Sequence, residues 1–202
     1  MGKLYFKYGT MNCSKSANLL MVAHNYTSNN MNILLLQSSI NNRDGDSIIS
    51  SRLGISKPCI SFSPQDDIKE CIKNNLKKNT ELILIDEIQF CTEKQIQDIA
   101  YLVDELGINI ICYGLKSSYT GELFPSIAKL LALADKIEEI KQTCTYCGRK
   151  AIMNLRLDNG VPVYNGNLIK VGDVENKTSE DATVYVAVCR KHFYEPKIRK
   201  EK

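Results

Sequence analysis

Eight residues near the start of the chain, Gly9-Thr10-Met11-Asn12-Cys13-Ser14-Lys15-Ser16, have the types and order of a phosphate-binding loop. Such a loop points successive backbone N–H groups at an anion, and the dipole of the following helix adds partial positive charge. Lys15 then reaches the β- and γ-phosphates and Ser16 ligates Mg²⁺, so the expected ligand is a nucleoside triphosphate. The usual pattern, G-x-x-x-x-G-K-[ST], has glycine where this chain has Ser14. A left-handed backbone at that serine costs about 1–2 kcal/mol, which a folded protein absorbs. The other reading of the stretch is an ordinary strand-to-helix turn with a serine cap and an exposed lysine.

A second candidate lies where the apolar run Leu82-Ile83-Leu84-Ile85 ends in Asp86-Glu87 and continues as Ile88-Gln89-Phe90. Ligands of open α/β sheets bind at the carboxyl ends of the strands. Asp86 is there to order a Mg²⁺ shell, and Glu87 to take a proton from a reacting oxygen. The alternative is that one acid caps a helix starting near Thr92 and the other is solvated. The third candidate pairs Cys144 and Cys147 with Cys189 and His192, a C-x₂-C and a C-x₂-H knuckle. Three thiolates and one imidazole complete a closed tetrahedral Zn²⁺ site with no open position, so the zinc is expected to be structural. Free thiols or a redox pair are the competing readings.

The elements that must position these groups follow from the pattern. Apolar runs at Leu4-Tyr5-Phe6-Lys7-Tyr8, Ile33-Leu34-Leu35-Leu36, Cys59-Ile60-Ser61-Phe62, residues 82–85 and residues 108–113 read as strands, and helices are expected over 15–26, 66–77, 93–106 and 127–134. Continuous apolar strands alternating with helices indicate a parallel sheet covered on both faces. A loop over residues 114–125, polar at its centre and apolar at Leu115, Tyr119 and Phe124, has the composition to wrap a planar ligand, or to lie on the surface pinned by its aromatics. Between the knuckles, residues 151–156, 161–164 and 184–188 have β character.

Composition bounds the rest. With 202 residues, 44% hydrophobic and 24% charged, the chain can bury one core and carry a small appendage, which excludes two large domains. No apolar stretch approaches the roughly 20 residues of a membrane span, so a soluble cytoplasmic protein is expected. Cys13, Cys59, Cys71, Cys91 and Cys112 are scattered singly, as reduced thiols are. The net charge of +3 is mild, and the basic end with Arg190, Lys191, Lys197, Arg199, Lys200 and Lys202 reads as a solvated tail rather than a nucleic-acid patch. His24 is given no role.

A phosphate loop containing Met11-Asn12, the Asp86-Glu87-Ile88-Gln89-Phe90 strand end, Gly121-Glu122-Leu123-Phe124 and the Cys/His lobe, in that order, resemble the zinc-containing type II thymidine kinases. The resemblance reaches to about Phe193. The fold it implies is α/β, a P-loop (RecA-like) parallel sheet flanked by helices, plus a small zinc-binding β lobe with a lasso-type substrate loop. The expected division is 1–140 for the nucleotide-binding domain, with the lasso at about 114–125, then 141–195 for the zinc lobe and 196–202 for a basic tail. By resemblance, residues 9–16 bind the phosphates of ATP, Ser16 holds Mg²⁺, Asp86, Glu87, Ile88 and Gln89 line the nucleotide site, and Glu87 is the general base. Met11, Leu115, Tyr119, Phe124 and Tyr185 fall where the family packs base and sugar, and Val171-Gly172 match its return strand over the thymine. The resemblance also implies a homotetramer and feedback inhibition by dTTP.

The chain departs from the family at Ser14, at Asn41, where relatives commonly carry an aspartate near the metal, and in Lys116-Ser117-Ser118-Tyr119-Thr120, where many have Arg-Thr-Asp-Phe-Arg. Residues 173–184 form a longer link before Tyr185. The expected activity is transfer of the γ-phosphate of ATP to the 5′-OH of thymidine, with deoxyuridine as a further acceptor, in deoxynucleoside salvage. The competing hypotheses are a regulatory nucleotide-binding paralogue with weak catalysis and a zinc-lobed, nucleic-acid-dependent ATPase.

Overall fold

A computed structural model of the chain describes residues 1–39, 47–167 and 183–196. The chain groups into two units. The first comprises Met1–Tyr8, Ser14–Gly114 and Pro125–Glu139; the second comprises Gly9–Cys13, Leu115–Phe124 and the chain from Ile140 onward.

The first unit is built on a six-stranded sheet: β1 (Leu4–Tyr8), β2 (Asn32–Ser38), β5 (Ile60–Phe62), β6 (Thr80–Asp86), β7 (Asn109–Gly114) and β8 (Lys136–Glu139), in the order β5-β2-β6-β7-β1-β8. Every pairing in it is parallel. The expected continuous apolar strand is β6, whose Leu82, Ile83, Leu84 and Ile85 are all buried, each worth about 1.5–3 kcal/mol relative to exposure. Between the strands run α1 (Lys15–Ser28), α2 (Ile68–Asn75), α3 (Glu93–Leu106) and α4 (Pro125–Leu133). α2 is shorter than the expected 66–77, because Asp67 caps it through the amides of Lys69 and Glu70 and Leu76 is already extended. α3 matches its expected span; Thr92 and Gln95 form a capping box at its start, and Gly107 ends it at φ 68°. A hairpin of β3 (Ile48–Ser50) and β4 (Ser56–Pro58) and the edge strand β8 were not expected.

The second unit holds a three-stranded antiparallel sheet of β10 (Val161–Val163), β9 (Met153–Asp158) and β11 (Thr183–Val188), followed by α5 (Arg190–Tyr194). Successive side chains of a strand face opposite ways. One face of β9 and β11 places Leu155, Val186 and Val188 in a small core with Cys144, Cys189 and Phe193. The other carries the buried Asn154, Arg156, Tyr185 and Ala187.

Candidate active site and metal centre

The phosphate-loop stretch leaves β1 and enters α1 as the sequence indicates. Asn12 and Ser14 both adopt left-handed backbone, at φ 64° and φ 63°. Asparagine tolerates that region, whereas serine is strained there. Ser14 stands at the N-cap of α1 yet makes no side-chain cap hydrogen bond, so the ordinary serine-cap reading does not describe this turn. Lys15 is buried rather than exposed. At Gly9 an added Cβ would collide with Cys13 Sγ and lie 2.6 Å from the Ile140 carbonyl, so the turn demands glycine.

In the first unit Ser16 Oγ donates to Asp86 Oδ2 at 2.7 Å, joining the start of α1 to the carboxyl end of β6. Asp86 Oδ1 accepts from the Glu87 amide at 3.0 Å. Burial, with the neighbouring Glu87 charge, pushes the Asp86 carboxyl up to about 7 against the opposing pull of Ser16, the Glu87 N–H and Lys15. A buried carboxylate so penalised is a group that a divalent cation would stabilise. Glu87 is left-handed at φ 55°, ψ 40°, and Gln89 Nε2 donates to its Oε2 at 2.5 Å. The Gln89 main chain is itself fixed, its backbone carbonyl accepting from the buried Ser126 hydroxyl at 2.9 Å. Since Thr92 supplies the cap of α3, neither Asp86 nor Glu87 has that role.

Within the second unit Tyr119 and Tyr185 are both buried and meet edge to face at 6.1 Å between ring centroids. Arg156 stacks on Tyr119 at 5.0 Å and forms a two-pronged ion pair with Asp158. Tyr119 Oη donates to the Asn167 carbonyl at 2.9 Å, and an added Cβ at Gly166 would lie 2.8 Å from Tyr119 Oη. Phe124 is buried and Leu115 half-buried, while Leu123 is exposed. The loop is pinned at its base by pairing of Ser117 with Leu123 and by Ser118 N–H to the Glu122 carbonyl at 2.9 Å. Met11 belongs to the same unit, its N–H donating to Asn154 Oδ1 at 2.7 Å, while Gln142 Nε2 donates to the Asn12 carbonyl at 2.9 Å. Val171, Gly172 and Asn41 lie outside the described residues, as does the basic tail beyond residue 196.

The four metal-ligand candidates converge. Cys144 Sγ, Cys147 Sγ, Cys189 Sγ and a His192 nitrogen all lie within 4.8 Å of one another. Tetrahedral Zn²⁺ bonds of about 2.3 Å to sulfur and 2.0–2.1 Å to nitrogen imply edges of about 3.8 Å between sulfurs and about 3.5 Å between sulfur and nitrogen. The observed separations are 3.8 Å for Cys147 to Cys189, and 3.4 and 3.5 Å from His192 Nδ1 to Cys144 and Cys189. Burial alone would raise the Cys144 thiol, but the backbone N–H groups of Cys189 and Tyr146, the His192 ring and the Cys147 N–H bring it down to about 6. The donor set and its spacing fit zinc. Tyr146 meets the His192 ring edge to face at 5.5 Å.

Comparison with known proteins bears on the whole of this arrangement. The family model for thymidine kinase matches residues 2–193. The chain belongs to the thymidine kinase family. It is 43% identical to the thymidine kinase of Streptococcus gordonii over 98% of this chain and 99% of that one. It is 42% identical to that of Streptococcus pyogenes serotype M3, over 98% and 100%. The resemblance read from the ordered motifs thus holds across the chain, as does the α/β sheet with a separate small sheet and Cys/His cluster. Among the described residues no helix is long and apolar enough to cross a membrane.

No motif in the sequence marks Asn154, Arg156 or Gln142 as site-building residues. The sequence marks Gln89 only as a nucleotide-site residue, and the structure adds its side-chain bond to Glu87. The alternation in Met153-Asn154-Leu155-Arg156, with polar residues where a two-sided buried strand would be apolar, is the signal that marks Asn154 and Arg156.

Proposed function

We propose that the chain is an ATP-dependent thymidine kinase of deoxynucleoside salvage, accepting deoxyuridine as well. The observation that carries this reading is the full-length kinship with thymidine kinases, joined to a carboxylate pair at the end of β6 next to Ser16. In the reaction the thymidine 5′-oxygen attacks the γ-phosphorus, the bond from that phosphorus to the β–γ bridging oxygen breaks, and ADP leaves. Glu87 takes the 5′-hydroxyl proton, and Gln89 holds its carboxylate in one orientation. Residues 9–16 bind the triphosphate, with Lys15 countering its charge, and Ile88 and Gln89 complete the nucleotide site. Ser16 and Asp86 would hold Mg²⁺, which when bound neutralises charge on the phosphates. Met11, Leu115, Tyr119, Phe124, Val171, Gly172 and Tyr185 form the thymidine site, residues 1–140 the nucleotide domain and 141–195 the zinc lobe. Cys144, Cys147, Cys189 and His192 would hold a structural Zn²⁺ that stabilises a lobe with little core of its own. A cytoplasmic homotetramer inhibited by dTTP completes the reading, on the strength of the family resemblance.

Steady-state phosphorylation of thymidine by Mg·ATP, with zinc-replete protein and thymidine-free controls, tests this. Thymidine monophosphate formation that collapses in Glu87→Gln supports it. Nucleotide binding without transfer in the wild type would favour a regulatory module instead.

A further inference from the structure

Asn154 sits at the second position of β9, on the face opposite the zinc-side core, and is buried to 3% exposure. Its side chain makes two bonds to backbone far away in sequence. Oδ1 accepts from the Met11 N–H at 2.7 Å, and Nδ2 donates to the Ser117 carbonyl at 3.1 Å. Met11 lies in the phosphate-loop stretch and Ser117 at the base of the substrate loop. The partners dictate the orientation of the amide, since a backbone N–H can only donate and a carbonyl can only accept. Only a primary amide of this length serves both ends: aspartate could keep the Met11 bond but has no donor for Ser117, and leucine keeps the volume and neither bond.

We propose that Asn154 is a positioning residue that fastens the phosphate loop and the substrate loop to one strand, so that the order of each depends on the other. The names of the two loops rest on the kinase reading; the two bonds do not. The strand that carries Asn154 is anchored independently. Leu155 points into the metal-side core, and the full length of β9 pairs with β11. Asn154 is therefore held by rigid structure while its amide reaches two loops, which is the arrangement a positioning group requires. Nothing in Asn154 needs to touch substrate for this role. It acts through the Met11 and Ser117 main chain.

The test uses the full, zinc-loaded chain and amide hydrogen exchange. In Asn154→Leu, exchange across residues 9–13 and across 115–124 is expected to rise by about tenfold or more, the scale set by leaving a buried backbone group without its partner. Protection of β11 and zinc stoichiometry should stay at wild-type levels. In Asn154→Asp only residues 115–124 should lose protection, because the Met11 acceptor remains. In kinetics, KM for ATP and KM for thymidine should rise together in the leucine variant. Unchanged exchange at either loop in Asn154→Leu, equal effects of Asp and Leu at residues 9–13, or loss of zinc together with protection across the lobe would each overturn the proposal. Wild-type protein that fails to phosphorylate thymidine would remove the kinase reading alone, since the exchange comparison decides Asn154 without it.

Discussion

Replacing Ser14 with glycine separates the strain of the phosphate loop from its chemistry. Ser14 is held at φ 63°, ψ 33°, with no side-chain cap bond to lose. Releasing an L-residue from this region returns about 1–2 kcal/mol. Glycine gives back about 0.5–1 kcal/mol through the greater freedom of the unfolded chain. The difference runs from about 0 to 1.5 kcal/mol, and its centre, about 0.75 kcal/mol of stabilisation, raises the Tm of a chain of 202 residues by about 1.5–3 °C. Thermal unfolding followed by circular dichroism, at fixed zinc and protein concentration, reads this directly. Asn12→Gly is the control, because asparagine already tolerates its φ of 64° and should gain less. A Tm that falls in Ser14→Gly refutes the reasoning, since it means the serine side chain contributes more than its backbone costs.

Glu87→Gln should lower kcat by about 10²- to 10⁴-fold while leaving KM for ATP and thymidine within a few-fold, measured by steady-state kinetics. For Asp86 the folded carboxyl sits above its unfolded value of 3.8, so between about pH 4 and 7 the folded state binds more protons and stability falls as pH rises. Asp86→Asn should therefore gain in Tm over the wild type progressively across that window in Mg²⁺-free, zinc-replete buffer, with a flat difference outside it. Cys147→Ser should lose bound zinc by elemental analysis and lower Tm, since one of the four thiolate and imidazole ligands is removed; full zinc occupancy with unchanged Tm would count against a structural metal. Tyr119→Phe deletes the hydroxyl bonded to Asn167 at 2.9 Å, and thymidine KM should rise about 2- to 12-fold, the factor carried by one neutral hydrogen bond.

What could be read from the sequence is what local chemistry writes into neighbouring residues. The apolar run ending at Asp86, the loop before α1 and the two knuckles each require their residue types within a few positions, and each folds as that spacing implies. β8 escaped because Lys136-Ile137-Glu138-Glu139 is a charged, half-exposed edge strand with no apolar run. Asn154 escaped because its meaning lies in partners 143 and 37 residues away, which periodicity does not encode. Helix ends moved by a residue or two where caps decide them, as at Asp67. The left-handed Glu87 was invisible too, since Asp-Glu at a strand end reads equally well as a relaxed turn.

That last feature can be weighed. Glu87 at φ 55° costs about 1–2 kcal/mol, and a solvated acid with no task would be free to relax. Here the turn is over-determined: the Glu87 N–H is bonded to the Asp86 carboxylate, the Glu87 carboxylate to the Gln89 side chain, and the Gln89 backbone carbonyl to Ser126. With Glu87 as the base, proton transfer worth 10²- to 10⁴-fold corresponds to about 2.7–5.4 kcal/mol of barrier, which exceeds the strain. The same comparison fails for a capping acid. An N-cap contributes typically about 1 kcal/mol, no more than the strain, and Thr92 already supplies it to α3. The base role proposed for Glu87 thus offsets the strain of a clamped carboxylate one residue beyond a buried aspartate, and helix capping does not.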